Sequence, residues 1–63
     1  MFRNLSVRDN LMLALQESGL ESSERRHRAD LLIEEFHLTA FAHRRGFQLS
    51  GGERRRCEVA RAL

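Results

Sequence analysis

The stretch of this sequence best suited to chemistry is Leu49-Ser50-Gly51-Gly52-Glu53. Read locally, Ser50-x-x-Glu53 is a capping box. The hydroxyl of Ser50 takes the N–H of Glu53, and the carboxylate of Glu53 reaches back to the N–H of Ser50. A cap does not require two glycines. Each glycine inside a helix costs about 1 kcal/mol relative to alanine, so the pair costs on the order of 2 kcal/mol. Main chain without Cβ atoms is useful where another body must come close. A helix start also offers bare N–H groups and the positive end of a dipole, which suits an anion. A serine hydroxyl beside them suits a phosphate oxygen. On the residues alone, a phosphate contact and a simple cap both stand.

Three helices are expected to position this stretch, with no strand alternation anywhere. The first starts at Ser6, since Ser6-Val7-Arg8-Asp9 fits the S-x-x-D/E pattern. Val7, Leu11, Ala14 and Leu15 form its apolar stripe, and Gly19 ends it in a left-handed turn. The second runs from about Ser23 to Phe36. Ala29, Leu32, Ile33 and Phe36 recur at i, i+3, i+4, i+7, and Arg26, Asp30 and Glu34 pair weakly on the opposite face. Thr39 is expected to cap a short turn to His43. Gly46 then breaks the pattern, and Phe47-Gln48-Leu49 reads as a loop. The third helix begins at Ser50. Cys57, Ala60 and Leu63 face inward with Val59 beside them, and Arg54, Glu58 and Arg61 form an outer charged row. No stop signal follows, so the chain is expected to be cut rather than finished. The fold class is all-α, a small helical bundle.

With 63 residues the chain holds at most one small domain, marginal in isolation. Its single cysteine, Cys57, forbids an internal disulfide. The apolar run Leu11–Leu15 is too short to cross a bilayer, and the first ten residues lack the apolar core of a signal peptide. A soluble, cytoplasmic chain is expected. Every basic side chain is Arg. The net charge of +2 is uneven: residues 1–21 and 22–37 each carry −1, and residues 38–63 carry +4. The basic end holds the glycine motif, which reads either as a solvated helix face or as a surface for an anionic ligand.

Leu49–Glu53, followed by Arg54-Arg55-Arg56 and by Val59-Ala60-Arg61-Ala62-Leu63, resembles the signature helix of ABC transporter ATPases, of the LSGGQ-x-x-R-x-x-x-ARAL type. Phe2-Arg3-Asn4-Leu5-Ser6-Val7-Arg8-Asp9-Asn10-Leu11 is similar to the segment just after the Q-loop of these ATPases. Arg28-Ala29-Asp30-Leu31-Leu32 with Glu34-Glu35-Phe36 resembles the second helix of their helical subdomain. The resemblance covers essentially the whole chain, in order. Within the family, the GGERRR form, the opening to DNLM and the EEFH segment look most like the ATPases of lipopolysaccharide export. The ATPases for branched-chain amino acids are near neighbours.

The resemblance implies a partial domain over residues 1–63, cut from an α/β P-loop NTPase. In that family two subunits meet head to tail, and the signature of one closes over the γ-phosphate of ATP held by the other. It implies that Ser50, Gly51 and Gly52 contact that phosphate. Glu53 stands where Gln is usual, and its carboxylate is expected to turn toward the cap or the ribose side. Leu49 and Arg56 support the signature helix; for Arg56 a structural ion pair and a ligand contact both remain open. Phe2, Arg3 and Leu5 are the candidates for contact with a transmembrane permease. Phe2 and Leu5 fit equally as core residues covered by further parts of the domain. ATP and Mg²⁺ are the implied cofactors of the parent. The localisation implied is the cytoplasmic face of the inner membrane, held through permease subunits.

Departures from the family pattern matter too. There is no Lys, and hence no P-loop lysine for the phosphates. No strand ends in an acidic pair for Mg²⁺. The Q-loop glutamine and the switch histidine fall outside the segment. The segment alone is expected neither to hold ATP stably nor to hydrolyse it.

Other chemistry fits poorly. His27, His37 and His43 lack i, i+4 spacing and Cys57 is far from each, so no metal site is expected. Ser50 is not in G-x-S-x-G. Cys57 sits on an apolar face and reads as packing. The alternative function is an Arg-rich helical module for nucleic acid or protein, on the strength of six Arg after residue 38. Its near-balanced acids, and aromatics limited there to Phe41 and Phe47, argue against nucleic acid. Chromosome-maintenance ATPases also carry LSGGE, but Arg54–Arg56 and ARAL favour a transporter.

Overall fold

The computed structural model describes residues 1–62 as three α-helices joined by short turns. Helix α1 spans Val7–Leu15, α2 spans Ser22–Glu35 and α3 spans Gly51–Ala62. The all-α class and the three expected helices are found. Leu63, expected to face inward, lies outside the described residues.

Each helix start and stop has a local cause. Ser6 caps α1, its Oγ accepting the Asp9 N–H at 3.1 Å. A 3₁₀ turn at Gln16–Ser18 tightens the end of α1, and Gly19 follows at φ +79°, the left-handed stop the sequence called for. Helix α2 begins one residue earlier than expected and closes with a Schellman motif. The Leu38 N–H reaches the Ile33 carbonyl at 2.7 Å, and His37 takes the left-handed position at φ +57°. A histidine there carries the Cβ crowding that glycine avoids.

The connection from α2 to α3 departs from the sequence reading. Thr39 does not cap the turn; it opens a 3₁₀ turn, Thr39–Phe41, that starts after Leu38 with no side-chain cap. Residues Gly46–Gln48 form a second 3₁₀ turn rather than an open loop. The Gln48 side chain accepts the Arg45 N–H at 2.9 Å and steadies it. Asp30 pairs across helices, with Arg8 of α1 at 2.5 Å, rather than along α2. Both groups are partly exposed, so this pair contributes at most about 1 kcal/mol.

The core is continuous. Val7 and Leu11 meet Ala29, Leu32 and Ile33, and Leu38, Phe41, Ala42 and Leu49 fill from the connection. Cys57 and Ala60 close it from α3. Val59 is not beside them; it is exposed. Burial pushes the Cys57 thiol above its ordinary value, with Arg56 opposing and Glu53 and Glu58 adding to the rise.

Two outcomes follow for the 63-residue chain. His37→Gly relieves the left-handed strain and should raise stability by about 0.5–1 kcal/mol, net of the freedom glycine adds to the unfolded chain, by urea denaturation. The raised Cys57 value means that above ordinary thiol pH the unfolded chain releases a proton which the folded chain keeps. Stability from this group is whole at pH 7 and falls as pH climbs past that point. Cys57→Ala should flatten that alkaline decline.

Candidate functional site

The start of α3 is built as the sequence reading required. The Ser50 N–H donates to Glu53 Oε1 at 3.0 Å, and the Glu53 N–H donates to Ser50 Oγ at 3.2 Å. The box is reciprocal, and it answers where the Glu53 carboxylate goes: it is turned back onto the cap. The Ser50 hydroxyl accepts in this arrangement, so its own proton is free to donate elsewhere. By helix geometry the N–H groups of Gly51 and Gly52 have no acceptor within α3, and none is recorded for them among the described residues. Three donors thus sit together at the positive end of a twelve-residue helix.

Nothing among the described residues demands the glycines. A Cβ built at Gly51 or at Gly52 meets no atom within 4 Å. Both are exposed and helical. Their helix cost is therefore uncompensated by any internal contact. Gly46 is the contrast. It is buried, and a Cβ there would fall 2.9 Å from Arg3 Cα and 3.2 Å from the Phe2 carbonyl oxygen. Gly46 is glycine because the main chain of residues 2–3 presses on it.

The support residues are placed firmly. Leu49 is buried, so the residue just before the cap is anchored in the core. The Arg56 guanidinium lies over the Phe41 ring, 5.2 Å from its centroid, and points at the His37 carbonyl at 3.5 Å. A cation at the C-terminal end of α2 complements that helix dipole. Among the described residues Arg56 makes no ion pair, and its contacts tie α3 to the end of α2. The other arginines after residue 38 do not form one basic face. Arg45 donates to the Asn4 carbonyl, while Arg54 and Arg61 are half-buried along α3.

Phe2, Arg3 and Leu5 lie together in a turn before α1. The Phe2 ring is 58% exposed and Arg3 is exposed, while Leu5 is half-buried. Phe47, also exposed, joins them, because its N–H donates to the Arg3 carbonyl at 3.1 Å. The sequence reading passed over Phe47 as loop. It also passed over Asn10, the fully buried polar residue of α1. The Asn10 carboxamide accepts from the Phe2 N–H at 2.7 Å. It donates to the carbonyls of Phe2 at 3.0 Å, Leu5 at 3.3 Å and Ser6 at 2.9 Å. One signal was available: Val7, Asn10, Leu11 and Ala14 share an i, i+3, i+4, i+7 face, so a polar residue sits inside the apolar stripe.

A separate open groove runs between α1 and α2, lined by Leu15, Leu20, Arg28, Leu31, Leu32 and Glu35. None of Leu49–Glu53 lines it.

A bundle whose last helix starts on a capped Ser-Gly-Gly-Glu, with the lead-in to its first helix folded against the preceding turn, defines a class that comparison with known proteins identifies. The ABC transporter family model matches residues 1–63, and the chain belongs to that family. Over its whole length the chain is 53% identical to the lipopolysaccharide export system ATP-binding protein LptB of Escherichia coli (strain K12). It is 50% identical to the protein of the same description from Haemophilus influenzae, and 40% identical to the Fe(3+) ions import ATP-binding protein FbpC of Agrobacterium fabrum. It spans 27% of the length of each of the first two and 18% of the third.

Because their added methyl groups meet open space, Gly51→Ala and Gly52→Ala should each stabilise the 63-residue chain, by up to about 1 kcal/mol, in thermal melts followed by circular dichroism. Ser50→Ala should destabilise it by about 1 kcal/mol through loss of half the cap.

Proposed function

We propose that this segment is the signature-bearing helical part of an ABC ATPase that powers lipopolysaccharide export. The observation that carries the reading is the bare pair Gly51-Gly52. It weakens α3, no internal contact asks for it, and it leaves two unclaimed N–H groups beside a hydroxyl with a free proton. Such a surface suits an anion presented from outside the chain. In the assembled protein that anion is the γ-phosphate of ATP bound with Mg²⁺ by a second ATPase subunit. Ser50, Gly51 and Gly52 then donate to its oxygens, and Glu53 holds the cap. ATP supplies the phosphoryl chemistry, and this segment supplies donors in fixed positions. The residues present fit that role, because the donors converge at one helix end while the Glu53 carboxylate is occupied by the Ser50 N–H.

On the same reading Phe2 and Arg3, exposed ahead of α1, with half-buried Leu5 behind them, meet the transmembrane permease. Residues 1–63 work as one part of a larger nucleotide-binding domain whose P-loop, Q-loop, Walker B strand and switch histidine come from elsewhere. The subunit sits at the cytoplasmic face of the membrane through that permease. No helix among the described residues is itself long and apolar enough to cross a membrane.

The test is a graft. The 64 aligned residues of Escherichia coli LptB are replaced by this chain, and ATP hydrolysis by the purified protein is measured. The graft should hydrolyse ATP, and Gly52→Ala within it should lower turnover at least tenfold while leaving the melting temperature equal or higher. Full turnover by the Gly52→Ala graft would reduce the motif to a helix cap.

A further inference from the structure

We infer that Asn10 is a positioning residue that sets how α3 presents Ser50, Gly51 and Gly52. This inference rests on the function proposed above. It starts from a group the function does not use. Asn10 is 1% exposed and polar, and its four hydrogen bonds all go to main chain of residues 2–6. A carboxamide so placed makes one acceptor and three donor contacts, which fixes the fold of that turn.

The turn in turn seats the connection ahead of α3. Main-chain bonds run from Gly46 N–H to the Leu5 carbonyl and from Phe47 N–H to the Arg3 carbonyl, each 3.1 Å. The Val7 N–H reaches the Arg44 carbonyl at 3.0 Å and the Arg8 N–H reaches the Ala42 carbonyl at 3.1 Å. Ser6 and Arg45 form an antiparallel bridge between them. Gly46 lies flat against Arg3, where a Cβ would clash. From Gly46 the path to the cap is three residues long. The Leu49 N–H bonds the Gly46 carbonyl at 3.2 Å, the Leu49 side chain is buried, and Ser50 follows. Every link from Asn10 to Ser50 is thus a hydrogen bond or a close packing contact. Residues 2–6 and the start of α3 are joined by one chain of contacts, with Asn10 at one end of the seat and Gly46 at the other. Asn10 touches neither nucleotide nor permease; it acts through the main chain it holds.

The test uses the grafted full-length ATPase with two variants at opposite ends of the seat. Asn10→Asp keeps the shape but sets carboxylate oxygen against three carbonyls. Gly46→Ala drives a methyl group into Arg3. Three quantities are read: ATP affinity of the monomer, turnover at saturating ATP, and amide exchange at Gly46, Phe47 and Leu49. The expected result in both variants is ATP affinity within twofold of the parent, turnover reduced at least tenfold, and faster exchange at those amides. Should Asn10→Asp fail to fold, Gly46→Ala, read in the same three ways, decides the matter. A loss of ATP affinity as large as the loss of turnover would mean general damage and overturn the inference. So would full turnover in a folded variant while Gly52→Ala still abolishes it. If Gly52→Ala also keeps full turnover, the failure belongs to the proposed function instead.

Discussion

Four hydrogen bonds converge on the Asn10 carboxamide, and the geometry of the rest follows from where that group is buried. A carboxamide taken out of water without partners costs several kcal/mol on transfer scales that offer it no hydrogen bonds. The observed path of residues 2–6 supplies all its partners at once, which favours that path. Its carbonyls at Arg3 and Leu5 then receive the N–H groups of Phe47 and Gly46. The helices bring apolar faces to a common core, but it is this polar seat that joins the beginning of the chain to the threshold of α3.

The elements whose causes are local were legible in the sequence. Ser6, Gly19 and the Ser50–Glu53 box act within four residues of themselves, and the stripe Ala29, Leu32, Ile33 has an unbroken helical period. What escaped depends on residues far apart in the chain. Gly46 reads as a breaker until residues 2–3 are seen to lie on it. Asp30 reads as part of an in-helix row until Arg8 arrives from α1. Arg56 gives no sign in the sequence of the Phe41 ring and the His37 carbonyl that lie beneath it. His37 in a left-handed conformation defies a residue preference that normally points to glycine or asparagine. The candidate site itself was legible because its motif is contiguous. Its support was not, because Asn10 stands 40 residues from Ser50 and Gly46 stands 43 residues from Arg3, whose main chain presses on it.

Membership of the ABC transporter family gives these features a common setting. On the proposed reading, one surface faces a permease and another faces a nucleotide. Phe2 and Phe47 are exposed where residues 2–8 and 42–47 join, and the bare helix start at Gly51 follows Phe47 by four residues. The glycine pair gives up helix stability at the start of α3, while the cap and the buried Leu49 restore order immediately around it.

The seam between residues 2–8 and 42–47 also says something about assembly. Its partners are separated by up to 44 positions, from Arg3 to Phe47, so forming it closes most of the 63-residue chain into a loop. Closure entropy grows only with the logarithm of loop length, yet it must be met before the seam's bonds can form. Helix ends need far shorter closures, and the Arg8–Asp30 pair between α1 and α2 spans 22 positions, half as many. The pairing of remote segments is therefore the entropically costly event in this chain, and a single buried amide is what makes its completion unambiguous.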